Sequence, residues 1–571
     1  MRKSAVFRIR LITGLILVLA LLLIVRLYQL QVIRHDAYIA RAEQQYVHTV
    51  QDLYTRGNIY FTTKSGETVS GATVQSGHVL AIDPRKITDA ATTYDALSGI
   101  IPLDRDVFIN RASLSERTYV EIADRVPDEA AAAIEKLDLS GVQLYRNQWR
   151  YYPGDMLAAR TIGFVGHTGD GERLTGLYGL ERNYDETLRR NNDRLSVNFF
   201  AEIFSNLGSM VFKSEETRQG SVVSSIEPTV SRMLQSELLA THDEWNSELT
   251  GGIIIDPQTG EIMALDAVPT FNLNDRSEAS IEDFRNPLVE NVYEFGSIVK
   301  ALTMASGLDS GAVAPSTTYY DAGFIELNTF TIRNFDGRGR GTVNMQEVLN
   351  QSLNTGVAFV VDTMGKQAFR DYFLGLKLGS ETGIDLPNET YGLVENLNSP
   401  RDVEYATASF GQGIATTPIA MVRALATLAN GGKLIAPHLV TRIEYDDGTA
   451  KEIQFPEGDR VFSEATSEEI SRMLTTVVDE ALRGGDVALP NHSIAAKTGT
   501  AQIANTSGGG YYEDKYLHSF FGYFPSYDPQ FLVFLYTVEP KGVRYSSETL
   551  TEPFMNITKF LINYYNIPPD R

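Results

Sequence analysis

Ser297 precedes Lys300 by three residues in YEFGSIVKAL, Tyr293–Leu302. On a helix that spacing puts the hydroxyl and the amine on one face, within reach of each other. A serine hydroxyl is a weak nucleophile until a base takes its proton. Lysine serves as that base only where burial or other cations lower its pKa. Ile298, Val299, Leu302 and Met304 surround Lys300 in sequence and could desolvate the amine. Of the fourteen lysines, only Lys300 has serine three residues before it. A surface Ser and Lys on an amphipathic helix would share the spacing, so the pair needs support from elsewhere.

Two further groups supply it. In LNQSLNTG, Ser352 and Asn354 are spaced so that a hydroxyl and an amide can point from a loop into one cleft. The hydroxyl can relay a proton, and the amide can orient a lysine or a substrate amide. Ser196-Val197-Asn198 matches the same pattern. In IAAKTGTAQI, Lys497, Thr498, Gly499 and Thr500 read as a strand whose cation and hydroxyls could hold a carboxylate. The glycine would allow close approach to the backbone, and an extended peptide could pair with such an edge. Lys64-Ser65-Gly66 is a looser match in a turn-like segment. Each group is ordinary alone. The order S-x-x-K, S-x-N, K-T-G-T is not.

Composition narrows the chemistry. The 571 residues include no cysteine, which excludes disulfides, iron–sulfur clusters and thiolate catalysis. Eight histidines never fall at H-x-x-x-H spacing, so no metal or other cofactor is expected. No G-x-S-x-G occurs, against an α/β-hydrolase nucleophile elbow. The net charge of −22 makes nucleic acid an unfavourable partner. An acidic glycoside hydrolase is allowed by the many carboxylates, but no pair is identifiable.

The elements that must position these groups follow from pattern. Leu11–Val25 is uncharged, and apolar residues to Ile33 extend it toward the ~20 residues that span a bilayer. Arg2, Lys3, Arg8 and Arg10 precede it, so a single-pass anchor would leave residues 1–10 in the cytoplasm and the rest outside. Residues 34–220 mix strand-like and helical runs, among them His78–Ile82 and Pro127–Leu137. Residues 221–571 read as one α/β unit. Gly251–Ile255 and Glu261–Ala267 form a hairpin, and a helix follows from Ile298 to Leu308. A mainly helical middle comes next: Asn344 with Glu347 predicts a capping box, and Thr417-Pro418 opens a helix closed by Gly431-Gly432. Ile494–Thr500, Ser519–Phe524 and Phe531–Val538 are strands, and Phe554–Tyr565 is a final helix. The order predicts a five-stranded antiparallel sheet flanked by helices, with an all-helical insertion.

With these motifs in this order, the chain resembles a class B penicillin-binding protein, a monofunctional peptidoglycan D,D-transpeptidase. RLYQLQV (Arg26–Val32), the Arg56-Gly57-Asn58-Ile59-Tyr60 box and GLYGLERNYDETL (Gly176–Leu188) fit the family. TGIDLPNE (Thr382–Glu389), SFGQGIATTP (Ser409–Pro418) and HSFFGYFP (His518–Pro525) fit it too. Three departures stand out: Phe61–Lys64 where the first box usually continues Asp-Arg-x-Gly, Glu227 in place of Asp, and a Gly- and Tyr-rich insertion at 503–517.

The resemblance implies a transmembrane signal anchor (11–33), a mixed α+β pedestal or dimerisation-like domain (34–220) and a penicillin-binding transpeptidase domain (221–571). It also implies roles. Ser297 would attack a D-Ala–D-Ala stem peptide with Lys300 as base. Ser352 would pass the proton to the leaving amine, and Asn354 would orient Lys300 and substrate. Lys497 would supply positive potential, while Thr498, Gly499 and Thr500 would hold the terminal carboxylate. Backbone N–H groups of Ser297 and Thr500 would meet the oxyanion. An acceptor amine would complete the cross-link, and β-lactams would trap Ser297. Implied partners are a lipid-linked glycosyltransferase and membrane proteins of division or elongation, at the bacterial cytoplasmic membrane. E-F-G-S-I-V-K and S-F-G-Q-G lean toward the division type. A β-lactamase, a β-lactam sensor and a non-catalytic wall-synthesis scaffold are the alternatives.

Overall fold

The computed structural model describes residues 55–167, 174–190, 218–505 and 508–571. The expected anchor at 11–33, RLYQLQV and Ser196-Val197-Asn198 lie outside them. Among the described residues no helix is long and apolar enough to cross a membrane. Two compact units form, one holding Ser76–Trp149 and the other Arg56–Gln75 with Arg150–Arg571.

In the smaller unit, His78–Ile82 pairs antiparallel with the strand Val120–Val126. Helices Ala90–Ser98, Arg105–Ala112 and Asp128–Glu135 bury Leu97, Phe108 and Ile134 beside Leu80, Ile82 and Val126. Asp89 and Asp104 open the first two by accepting backbone N–H bonds, as N-caps do.

The larger unit is built around one sheet. Helix α1 (Pro228–Trp245) starts where the Glu227 carboxylate accepts the Val230 N–H at 2.6 Å, so glutamate does the capping expected of aspartate. Strands β1 (Leu249–Ile255) and β2 (Ile262–Val268) form the expected hairpin. Strands β3 (Ala495–Ala504), β4 (Tyr511–Phe524) and β5 (Phe531–Val538) complete an antiparallel sheet of order β3–β4–β5–β1–β2. Every residue of β5 is buried because both faces are covered. Its alternate residues serve different cores. Val533 and Leu535 join α1 and the C-terminal helix Thr551–Tyr565, whereas Phe534 and Tyr536 join Phe295, Ile298 and Leu302. On that second face runs helix α2 (Val299–Asp309), buried all round from Val299 to Gly307. Burial on every side marks a helix at the centre of a core.

A second, mixed sheet in this unit orders strands Ala450–Glu452, Val440–Tyr445, Gly220–Ser224, Ile59–Thr62 and the start of Thr68–Ile82. Beside it the Arg56 box meets the Gly-x-x-Gly-Leu-Glu segment through charge. Glu181 is fully buried and binds the Nε atoms of Arg56 and Arg150, both at 2.6 Å. Arg56 also reaches Asp185 at 2.8 Å, and Arg150 donates to the Gly57 carbonyl at 2.8 Å.

Three expectations need correction. The inserted lobe is not all-helical: strands Thr318–Asp321 and Gly341–Asn344 pair, as do Phe324–Leu327 and Phe330–Arg333. Asn328 (φ 47°) and Thr329 (φ 73°) turn the second ribbon, and two positive φ values suit the twist of a two-residue hairpin loop. Asn344 does cap its helix, accepting the Glu347 N–H at 2.9 Å, but the Glu347 carboxylate binds Asn350 and Gln351 instead of reaching back. The helix after Thr417 ends at Ala426, before Gly431.

Replacing Glu181 with alanine removes the carboxylate shared by two buried guanidiniums, leaving Arg56 its bond to Asp185 and Arg150 its bond to the Gly57 carbonyl. The expected loss is about 3–5 kcal/mol of unfolding free energy, read by urea denaturation.

Candidate active site

Ser297 sits in a 3-10 turn, Gly296–Ile298, that leads directly into α2. Lys300 follows in the first turn of α2, so the i, i+3 spacing puts it on the same face as Ser297. Glycine at 296 is required twice. Its φ is +64°, and a Cβ there would come within 2.5 Å of the Thr500 carbonyl oxygen. The turn is thus pressed against β3, the edge strand that carries Lys497–Thr500. At Gly499 an added Cβ would lie 2.3 Å from Ser519 Oγ and 2.5 Å from the Phe295 carbonyl oxygen. What this glycine makes room for is therefore the protein's own Gly296–Ile298 turn. Ser519 Oγ donates to the Phe295 carbonyl at 2.7 Å and fastens the contact.

Lys300 has no exposed surface and Lys497 is 3% exposed. Both meet Ser352. Lys300 Nζ donates to the Ser352 carbonyl at 2.6 Å and lies 3.1 Å from its Oγ, and Lys497 Nζ lies 3.1 Å from the same Oγ. Lys497 also donates to the Thr498 carbonyl at 3.2 Å. Ser352 holds this position with φ at +52°, a left-handed conformation that a non-glycine residue adopts only under constraint. Burial first, and the charge of Lys497 second, hold the Lys300 pKa well below the ordinary lysine range. Burial lowers Lys497 to about 8.

Ser297, Ser352, Asn354, Thr498 and Thr500 line one cleft of about 690 Å³, with Lys300 and Lys497 buried at its floor. Asn354 opens helix α3 (Asn354–Met364), and its Nδ2 donates to the Arg333 carbonyl at 2.8 Å; Lys300, by contrast, is held by Ser352. The wall behind Asn354 is a buried polar network in which Asp321 accepts from Asn334 Nδ2 at 2.9 Å and from Thr355 Oγ1 at 2.8 Å. Thr500 Oγ1 accepts the Ser546 N–H at 3.1 Å. His518, opposite Thr500 on β4, is buried between Thr549 Oγ1 and the Arg544 carbonyl, and burial lowers its pKa to about 4. It is a neutral structural imidazole.

Several cleft residues carry no motif. Arg333 and Phe335 come from the inserted lobe, and Arg544 and Tyr545 from the loop after β5. The Phe335 and Tyr545 rings meet edge-on with centroids 5.7 Å apart, and Arg544 Nη2 approaches the Phe335 carbonyl at 3.4 Å. Tyr511, from the Gly- and Tyr-rich insertion, donates to Glu294 at 2.9 Å, three residues before Ser297. The insertion is visible in sequence, but its target is a tertiary contact.

The family model described as penicillin binding protein transpeptidase domain matches residues 250–559. A second, penicillin-binding protein dimerisation domain, matches 53–201. The chain is 28% identical to stage V sporulation protein D of Bacillus subtilis, covering 88% of this chain and 78% of that protein. It is 26% identical to the peptidoglycan D,D-transpeptidase FtsI of Escherichia coli, covering 99% and 93%. Its fold is similar to penicillin binding protein 2X of Streptococcus thermophilus, with a TM-score of 0.71 at 19% identity over 90% and 81% of the two chains. Penicillin binding protein 3 of Mycobacterium tuberculosis, complexed with aztreonam, gives 0.67 at 21% over 91% and 98%.

The lysine pair predicts a bell-shaped pH profile for acylation of Ser297 by an active ester. The rate should rise as Lys300 loses its proton, and fall above about pH 8 as Lys497 loses its charge. Lys497→Met removes a cation that disfavours protonation of Lys300, so the rising limb should move to higher pH. A flat profile between pH about 5 and about 10 would refute the assignment.

Proposed function

The chain belongs to the penicillin-binding proteins, and from that membership together with the geometry of the cleft we propose the following reaction and residue roles. This class B chain is a serine D,D-transpeptidase that cross-links peptidoglycan stem peptides and is acylated by β-lactams. The observation that carries the reading is the desolvated Lys300, one helical turn after Ser297 and tied to Ser352.

A neutral amine has two N–H donors and one lone pair. The Ser352 carbonyl and Oγ can take both donors of Lys300, which leaves the lone pair for the Ser297 hydroxyl proton. Ser297 Oγ attacks the penultimate D-Ala carbonyl while Lys300 accepts that proton. Backbone N–H groups of Ser297 and Thr500 stabilise the oxyanion, each worth roughly 2.7–4 kcal/mol in such an arrangement. Ser352 Oγ can accept from both lysines, so its own proton is available to the departing D-Ala amine, and Lys300 then restores it. The C–N bond breaks and leaves an ester on Ser297. An acceptor amine attacks the ester carbonyl, forms the new amide and returns the proton to Ser297 through Lys300. Lys497, Thr498 and Thr500 hold the terminal carboxylate beforehand. Gly499 admits the nucleophile turn, and Asn354, fixed by the Arg333 carbonyl, presents its amide to the donor backbone.

The substrate lies outside the membrane, which agrees with residues 11–33 as a signal anchor, 1–10 in the cytoplasm, 34–220 as pedestal and 221–571 as the transpeptidase domain. A division role, a lipid-linked glycosyltransferase and other membrane proteins of wall synthesis complete the proposal.

A fluorescent penicillin should label residues 34–571 at one equivalent, and Ser297→Ala should abolish the label. Label on the alanine variant, or none on folded wild type, refutes the reading. Rapid loss of the adduct would mark a β-lactamase.

A further inference from the structure

The chain carries 72 acidic against 50 basic residues, yet none of the described side chains lining the catalytic cleft is Asp or Glu. The cations there are Arg333 from the inserted lobe and Arg544 from the loop after β5, above Lys300 and Lys497. Among the described residues none of the four has a carboxylate partner. The contrast within a single loop is sharp, because Arg340 is paired with Asp336 at 2.8 Å while Arg333 is not. Arg333 instead stands 5.6 Å from the Phe324 ring centre, and Arg544 stands 5.5 Å from the Tyr545 ring centre and makes a long bond to the Phe335 carbonyl. Like charges gathered in one concavity without counter-charges repel each other until an anion enters.

Strand direction says where on the substrate that anion belongs. One carboxylate, the terminal one, is already assigned to Lys497, Thr498 and Thr500. A donor peptide paired with the β3 edge then runs from Thr498 past Thr500 toward Gln502, at about 3.4 Å per residue, as one moves back from its C-terminus. Thr500 is bonded to Ser546, two residues after Arg544, and Gln502, Tyr516 and Arg544 line the cleft beyond it. Arg544 thus flanks the residues upstream of the scissile bond, and Arg333 faces the same cleft from the Asn354 side.

We propose that Arg333 and Arg544 form a second anion subsite that selects donor peptides bearing a free carboxylate upstream of D-Ala–D-Ala over their carboxamide counterparts. This rests on the transpeptidase reading and deepens it. Guanidinium forks are suited to carboxylates, and one from each wall fixes the peptide's register on the strand.

The test uses two β-lactams, benzylpenicillin and its derivative with a carboxyl group on the side-chain α-carbon. Their side chains project in the upstream direction. The measured quantity is the ratio of their second-order acylation rates, which is independent of the fraction of folded protein. Wild type should favour the carboxyl compound about tenfold relative to Arg544→Gln or Arg333→Gln, the factor set by one charge-assisted hydrogen bond. Arg544→Lys should keep an intermediate ratio. Raising ionic strength from about 0.05 to about 0.5 M should shrink the wild-type preference. Ester peptides differing only in upstream carboxylate or carboxamide should follow the same order. Ratios equal in wild type and both glutamine variants would overturn the subsite while leaving transpeptidation standing. No acylation of wild type by either compound would overturn transpeptidation itself.

Discussion

The site depends on keeping one lysine dry. An ammonium group without a counter-ion is costly in a protein interior, and the cost is met by giving up the proton. Lys300 is placed on a helix that is buried on every side, at the centre of the larger core, and beside a second buried lysine. Its pKa is accordingly held well below that of an exposed lysine. Ser352 is bonded to both amines, so the three groups form one connected unit.

Much of the surrounding architecture serves to bring that unit against the edge strand. The Ser297 turn and β3 touch through glycines at 296 and 499, with the Phe295 and Thr500 carbonyls occupying the space a side chain would need. Such contact demands a sheet that does not shift. The fully buried β5, packed on one face by α1 and on the other by α2, supplies the stiffness. The inserted lobe brings Ser352 and Asn354 to the opposite wall and anchors them on the buried Asp321–Asn334–Thr355 network. Removing a side chain far from Ser297 can therefore alter chemistry by loosening one wall.

The elements legible in sequence were those whose signals are local. The β1–β2 hairpin, the buried run of β5, the Asn344 and Thr417 caps and the start of α2 all follow from residue pattern within a few positions. The ribbons of the inserted lobe were read as helical territory because their strands are only four residues long, too short for a period of two to stand out. Glu347 was expected to complete a capping box, but Asn350 and Gln351 compete for its carboxylate from the next turn. Asn354 was expected to orient Lys300, and its amide is instead engaged by the Arg333 carbonyl.

The sequence by itself determined the identities and order of Ser297, Lys300, Ser352, Asn354 and Lys497–Thr500, because each motif is a short local spacing and the three together exceed coincidence. It also determined the sheet's strands and the helix that follows Ser297. Only the tertiary structure decided that Lys300 is fully buried, that Lys497 lies close enough to repel its proton, and that Ser352 joins them. It alone brought Arg333, Arg544 and Tyr545 to the same cleft. The physical reason is that desolvation and charge repulsion depend on distances between residues tens to hundreds of positions apart. Those distances are set by how the sheet, helix and inserted lobe pack, and no local spacing encodes them.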